Sequence, residues 1–295
     1  MARVREAYMM EELTVGEAKL TWLNGGVSFL DGGAMFGVVP KALWTKRYPY
    51  NANDQIELRS DPILLRIEEQ CFLIDAGLGN DKFTEKQKRN FVVLEESAVE
   101  AQLAKLGIQP RDITGILMTH LHYDHANGLT KKVGDTYIPV FPNVPIYVSE
   151  VEWHEMRNPN IRSVNTYWEQ NWRPIADQVV TFTDEIEVHP HLKMIHTGGH
   201  SDGHSIIKYE VDGACFIHMG DLMPTHAHQP VLWVLAYDDY PVTSVFQKEK
   251  WMAYGYERKA WYTFYHDAYV RALQFDENGA VLNEVKRKRT NYHGQ

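Results

Sequence analysis

One run of this sequence is dense in metal-type side chains: His120-Leu121-His122-Tyr123-Asp124-His125. Imidazole nitrogens and carboxylate oxygens are the usual donors to zinc and similar divalent ions, and a catalytic site leaves one position open to water. His120 and His122 are two residues apart, just beyond a strand predicted over 115–118. In an extended segment the side chains at i and i+2 point the same way, so both imidazoles can converge on one ion. Asp124 and His125 follow after the chain turns and can face a second ion beside the first. Asn127-Gly128 provides a polar, flexible exit.

The run cannot complete such a site alone, so further donors must arrive from distant strand ends. Three fit. His200 follows a strand predicted over 192–196, within Thr197-Gly198-Gly199-His200-Ser201. Asp221 follows a strand over 214–219, within Met219-Gly220-Asp221. His266 follows a strand over 261–265, within Tyr265-His266-Asp267.

The elements that must position these residues are legible as hairpins with helices between them. Strands over 19–23 and 27–30 flank the turn signal Asn24-Gly25-Gly26, and a second hairpin joins 62–67 to 71–75. Asp75-Ala76-Gly77 ends that strand with a carboxylate and a flexible glycine. Helical spacing of Val99, Leu103 and Leu106, stopped by Gly107, predicts a helix over 97–106. After a strand over 144–148, Ser149 and Glu152 resemble a capping box opening a helix that carries Trp153. Strands are predicted over 179–182 and 192–196, and a hairpin of 205–211 with 214–219 turns at Asp212-Gly213. A helix is predicted over 245–258, and the last hairpin turns at Glu277-Asn278-Gly279. Hairpins interspersed with helices argue for an α/β (α+β) fold of mixed sheets packed on each other with outer helices, not a doubly wound parallel sheet. With no repeat and no low-complexity linker, residues 1–295 are expected to form one domain. The first 18 or so residues are expected to be an extension or a dimer arm.

The bulk numbers narrow the function. Net charge is −9, which disfavours nucleic acid as a partner. Lys286-Arg287-Lys288-Arg289 is the one dense basic patch and is expected to be a solvated strand edge or tail. No apolar run approaches the ~20 residues that span a bilayer, so no membrane partner is expected. The opening Met1-Ala2-Arg3-Val4-Arg5-Glu6 is charged and lacks a secretory apolar core, so a cytoplasmic location is expected. Cys71 and Cys215 sit in apolar runs and are expected to be buried free thiols. Trp153, Trp168 and Trp172 suit an interface, a lid or a core equally.

Taken together, His-x-His-x-Asp-His, Gly-Gly-His-Ser, Gly-Asp at a strand end and a late His resemble the dinuclear metallo-β-lactamase superfamily, in the right order from about Lys19 to His266. That resemblance implies a four-layer αβ/βα sandwich. It also implies that His120, His122 and His200 bind one ion, that Asp124, His125 and His266 bind another, and that Asp221 bridges them. His226 and His228, five and seven residues after Asp221, are then pocket lining or support, and His204 resembles the supporting His of the superfamily. His154, His189, His191 and His293 are expected at the surface, and His196 and His218 in packing roles. Two adjacent divalent ions lower the pKa of a shared water from 15.7 toward ~7, so the nucleophile is expected to be a bridging hydroxide. Asp124 would shuttle the proton to the leaving group. With no cysteine ligand, Zn²⁺ is the default, and Mn²⁺, Fe²⁺ or Co²⁺ suits similar donors.

Within the superfamily, His122 stands where oxygen-reducing diiron relatives carry Glu, which favours hydrolysis. Leu30-Asp31-Gly32-Gly33-Ala34-Met35-Phe36-Gly37-Val38-Val39-Pro40-Lys41 and Gly220-Asp221-Leu222-Met223-Pro224-Thr225-His226-Ala227-His228 resemble loops of quorum-quenching N-acyl-homoserine lactonases of the YtnP-like branch. The resemblance implies a lactone or ester substrate, an apolar groove for an acyl chain lined by Met35 and Phe36, and a homodimer. Ordinary core packing is the alternative for those two side chains. Better-known lactonases carry a Tyr a few residues after the bridging Asp. None stands in 222–226 here, so His226 is the candidate to polarise the substrate carbonyl. Phosphotriester or aryl-ester hydrolysis and hydroxyacylglutathione-type thioester hydrolysis are the alternatives.

Overall fold

The computed structural model describes residues 10–288 and Tyr292. Two seven-stranded mixed sheets face each other. The first runs, in spatial order, Glu12–Val15, Ala18–Trp22, Ile63–Ile67, Gln70–Ile74, Gly115–Leu117, Ile146–Ser149 and Val179–Phe182. The second runs Glu185–His189, Leu192–His196, Ser205–Val211, Ala214–His218, Trp261–Thr263, Val270–Phe275 and Val281–Lys286. Gln70–Ile74, Gly115–Leu117, Ile146–Ser149 and Val179–Phe182 are mutually parallel, as are Ala214–His218 and Trp261–Thr263.

The layering follows from period-two burial on both faces of the central strands. Ile63, Leu65 and Ile74 point between the sheets, where they meet Met194, Ile207 and Phe216. Leu64 and Leu73 point outward onto Leu103 and Met156, from the helices Val99–Lys105 and Glu150–Arg157. The second sheet is covered likewise: Ile206, Ile217 and Tyr262 pack on Trp251 and Met252 of the helix Pro241–Glu257. Each such buried aliphatic or aromatic side chain is worth about 1.5–3 kcal/mol, which ties helix, sheet, sheet and helix into the four layers the sequence implies.

Some local expectations change. Ala18–Trp22 and Val27–Asp31 are not a hairpin, because the second pairs with Gln55–Arg59 in a separate two-stranded sheet. Asn24-Gly25-Gly26 is a crossing, with Leu78 N donating to Gly25 O and Ser60 N to Gly26 O. A Cβ on Gly25 would stand 1.8 Å from the Ser60 carbonyl oxygen, so glycine is required by close approach rather than by a turn. The last long helix starts at Pro241, four residues early, with proline suited to its first turn.

The basic run near the C-terminus is a solvated strand edge at Lys286, which ends the outer strand of the second sheet, but not at Arg287. Arg287 is buried with Nη1 3.3 Å from Glu57, and Lys288 N donates to Glu11. A guanidinium can be buried there because a carboxylate meets it. Arg289 lies outside the described residues, as do residues 1–9 and His293. The strand Glu12–Val15 is the edge of the first sheet. Cys215 is buried and Cys71 half-buried, both as free thiols. Trp153 packs edge-on against Trp172 beside the outer core, and Trp168 stacks on Tyr123. Among the described residues no helix is long and apolar enough to cross a membrane.

Candidate metal centre

The strand ends bring the predicted ligands to one place between the sheets. His120 and His122 leave the central strand Gly115–Leu117, and the short helix Tyr123–Ala126 carries Asp124 and His125. From the second sheet come His200 after Leu192–His196, Asp221 in the turn Gly220–Leu222 after Ala214–His218, and His266 after Trp261–Thr263. Three sets of donor atoms converge within 4.8 Å: His120, His122 and His200; His120, His125 and Asp221; and Asp124, His125 and His266.

Asp221 spans the centre. Its Oδ2 is 3.3 Å from His200 Nε2, and its Oδ1 is 3.4 Å from His125 Nε2 and 3.2 Å from His266 Nε2. His200 Nε2 lies 3.0 Å from His122 Nδ1. Asp124 Oδ2 lies 3.5 Å from His266 Nε2, and its side chain is 24% exposed while all the others are buried.

The rings are aimed by their second nitrogens. Nδ1 of His125 meets the Asp75 carboxylate at 2.8 Å, Nδ1 of His200 meets Asp238 at 2.8 Å, and Nδ1 of His266 meets the Arg59 carbonyl at 2.6 Å. His120 Nδ1 lies 3.0 Å from Thr119 Oγ1. Such partners fix the tautomer and leave the other nitrogen's lone pair for a ligand. Burial, then neighbouring imidazoles, holds His120 and His122 well below their ordinary pKa. Burial opposes charge on His125 and His200 too, but carboxylates outweigh it and raise both: Asp75 and Asp221 for the first, Asp221 and Asp238 for the second. Asp221 is lowered despite burial, by His266, His125 and His200.

These residues fit divalent ions. His120 Nε2 and Asp221 Oδ1 are buried without a hydrogen-bond partner among the described residues, a costly state that a cation relieves. His125 and His266 both commit Nδ1 elsewhere, yet their Nε2 atoms face each other at 3.1 Å.

Comparison with known proteins agrees. The metallo-beta-lactamase superfamily matches residues 57–253. The chain belongs to that superfamily. As a metallo-beta-lactamase superfamily protein it is related to metal-dependent hydrolases, and its His/Asp cluster is suited to divalent metals. An N-acyl homoserine lactonase of a Bacillus species is 28% identical over 159 residues, covering 50% of this chain and 57% of the relative. The match thus spans little more than half of that lactonase's length. A probable metal-dependent hydrolase from Staphylococcus aureus has a solved structure of TM-score 0.91 at 44% identity, covering 95% of this chain and all of its own. AidC, a dizinc quorum-quenching lactonase solved with a product, gives TM-score 0.76 at 17% identity over 96% of this chain and 98% of its own, a likeness of fold.

Of the residues expected to meet substrate, two are packed in the core and His226 is half-buried. Met35 and Phe36 are fully buried, Phe36 stacked between Trp44 and His228 in a fourth apolar cluster. His226 donates from Nδ1 to Asp267 at 2.5 Å and tilts on Tyr48. Its pKa is raised, since Asp267 outweighs the opposing effect of burial. His189 is buried against Phe72 rather than exposed. His204 Nε2 accepts from Asp221 N at 3.2 Å, and His228 is spent on Thr225 and the Met35 carbonyl.

Sequence reasoning missed Tyr237, sixteen residues past Asp221. Its ring lies 5.7 Å from His200 and its hydroxyl is 3.1 Å from Met35 Sδ, a weak acceptor. The residue as a whole is exposed, but desolvation of its hydroxyl against buried Met35, then the charges of Asp221 and Asp124, raises the phenol well above its ordinary pKa and keeps it a donor. The one signal available was Tyr237-Asp238-Asp239-Tyr240, aromatic and acidic residues bunched in a loop.

Proposed function

We propose that this protein hydrolyses lactones, N-acyl-homoserine lactones foremost, with two divalent ions, Zn²⁺ by default. On this reading residues 1–295 act as one catalytic domain. His120, His122 and His200 hold one ion, Asp124, His125 and His266 the other, and Asp221 both. Supporting this is the opposed His125–His266 pair, spanned with His200 by one carboxylate, together with likeness to lactonases over half the chain.

When bound, such a pair of ions supplies Lewis acidity toward a carbonyl oxygen and a water acidic enough to lose its proton near neutral pH. The chain's own residues do the rest. Asp124, the one half-open carboxylate of the cluster, receives that proton and delivers it to the ring oxygen as the ester C–O bond breaks. Water is consumed, and the ring opens to a single hydroxy acid that carries both the new carboxyl group and the freed hydroxyl. Tyr237 donates a hydrogen bond to the carbonyl oxygen, a role its place beside His200 suits better than that of His226 on Asp267. Met35 and Phe36 shape the site from behind, through Tyr237 and His228.

Metal-loaded protein incubated with homoserine lactones of graded acyl length, with acid release followed, should turn over. No turnover alongside fast hydrolysis of a phosphotriester would replace this proposal with phosphotriester hydrolysis.

A further inference from the structure

Glu152 is fully buried in the first turn of the helix Glu150–Arg157, capped by Ser149. Its carboxylate does not complete a capping box. It reaches instead into three other segments. Oε1 accepts from Leu121 N at 2.7 Å and from Tyr167 OH at 2.9 Å, and Oε2 accepts from Ser201 Oγ at 2.6 Å. Leu121 lies between His120 and His122, the Tyr167 ring packs 5.1 Å from His122, and Ser201 adjoins His200. The helix start is pressed onto the His200 loop: Ser149 Oγ donates to Gly203 O, and a Cβ on Gly203 would stand 2.0 Å from Glu152 N.

Among the described residues these donors are all uncharged. A buried carboxylate is costly to leave without positive charge nearby. Apart from the shared Asp221, the His120, His122 and His200 set brings imidazoles alone, whereas the neighbouring set also includes Asp124. We propose that Glu152 is a positioning residue and outer counter-charge for the ion on His120, His122 and His200, pinning both chain segments that deliver those rings. This rests on the metal-centre assignment above, and nothing in the superfamily match assigns it.

The test is Co²⁺ titration of the metal-free full chain, read by ligand-field absorption and bound-metal analysis. Glu152→Gln should weaken one Co²⁺ by roughly 10–100-fold and shift its absorption, leaving the second ion's affinity in place. Tyr167→Phe and Ser201→Ala, which keep the charge, should weaken the same ion several-fold. They decide the matter if Glu152→Gln does not fold. Unchanged affinity and spectrum in Glu152→Gln, or in both of the other variants where it does not fold, overturns the proposal. Equal loss of both ions overturns it too. If the unaltered protein binds no Co²⁺, or binds it equally well after His120→Ala, the metal-centre assignment itself fails.

Discussion

His125 Nε2 and His266 Nε2 stand 3.1 Å apart, 141 residues apart in sequence, with the opposite nitrogen of each ring already donating to Asp75 or to the Arg59 carbonyl. Two neutral rings so placed would oppose their lone pairs, a clash relieved by a proton on His125, whose pKa is raised, or by a bound cation. Metal removal should therefore destabilise the fold. With free ion at a hundred times its dissociation constant, the native state gains about 2.7 kcal/mol per site. Thermal melts with and without chelator, plus metal analysis, check this. His266→Ala should lose about one equivalent, and an unchanged metal content would remove His266 from the ligand set.

Asp124→Asn should keep much of the metal, because five buried imidazoles and Asp221 remain. It should lose activity by about 10²–10⁴-fold, the usual range for a general acid–base group. Full activity with full metal content would end its proton-transfer role.

Tyr237→Phe should lower kcat on homoserine lactones by about 10²-fold, at the low end of what one transition-state hydrogen bond supplies. His226→Gln should stay within a few-fold of the unaltered protein. The reverse ranking would restore His226 as the polarising group.

Phe36→Ala should destabilise the protein by about 3–5 kcal/mol, the cost of emptying a packed aromatic site. Urea unfolding measures it. If instead stability holds and KM rises only for long acyl chains, Phe36 lines the substrate groove.

Asp61 anchors a buried network in which Arg59 approaches it at 3.2 Å and Arg271 at 2.7 Å. Burial pushes its pKa up, but those guanidiniums, with Arg287, bring it from about 3.8 to about 2. The proton thus prefers the unfolded chain, so the stabilisation is complete above pH 4 and is lost as pH falls toward 2. Its size is on the order of 2 kcal/mol. Asp61→Asn should flatten that acid limb and, by leaving two buried cations short of charge, cost about 3–5 kcal/mol at neutral pH. Melts from pH 2 to 7 show both effects.

Continuous apolar runs and glycine-marked turns made most strands legible, because both faces of the central strands are buried. The crossing at Asn24-Gly25-Gly26 was misleading for a physical reason: a glycine pair serves close backbone approach as readily as a turn. The capping-box pattern at Ser149 and Glu152 was half right, since Ser149 caps but the carboxylate leaves for Leu121, Tyr167 and Ser201. Arg287 looked like surface because its partner Glu57 is 230 residues away.

The sequence by itself determined the donor types, their i, i+2 spacing and their places after strands, since these follow from local periodicity and side-chain chemistry. It could not decide what stands behind or beside the donors. Asp75 on His125, Asp238 on His200, Glu152 beneath both loops and Tyr237 at the open face are set by packing between segments far apart in the chain. Hydrogen bonds and burial at that range leave no period in the sequence. Only the closing of the two sheets on each other turned seven scattered ligand-type residues into one cluster spanned by Asp221.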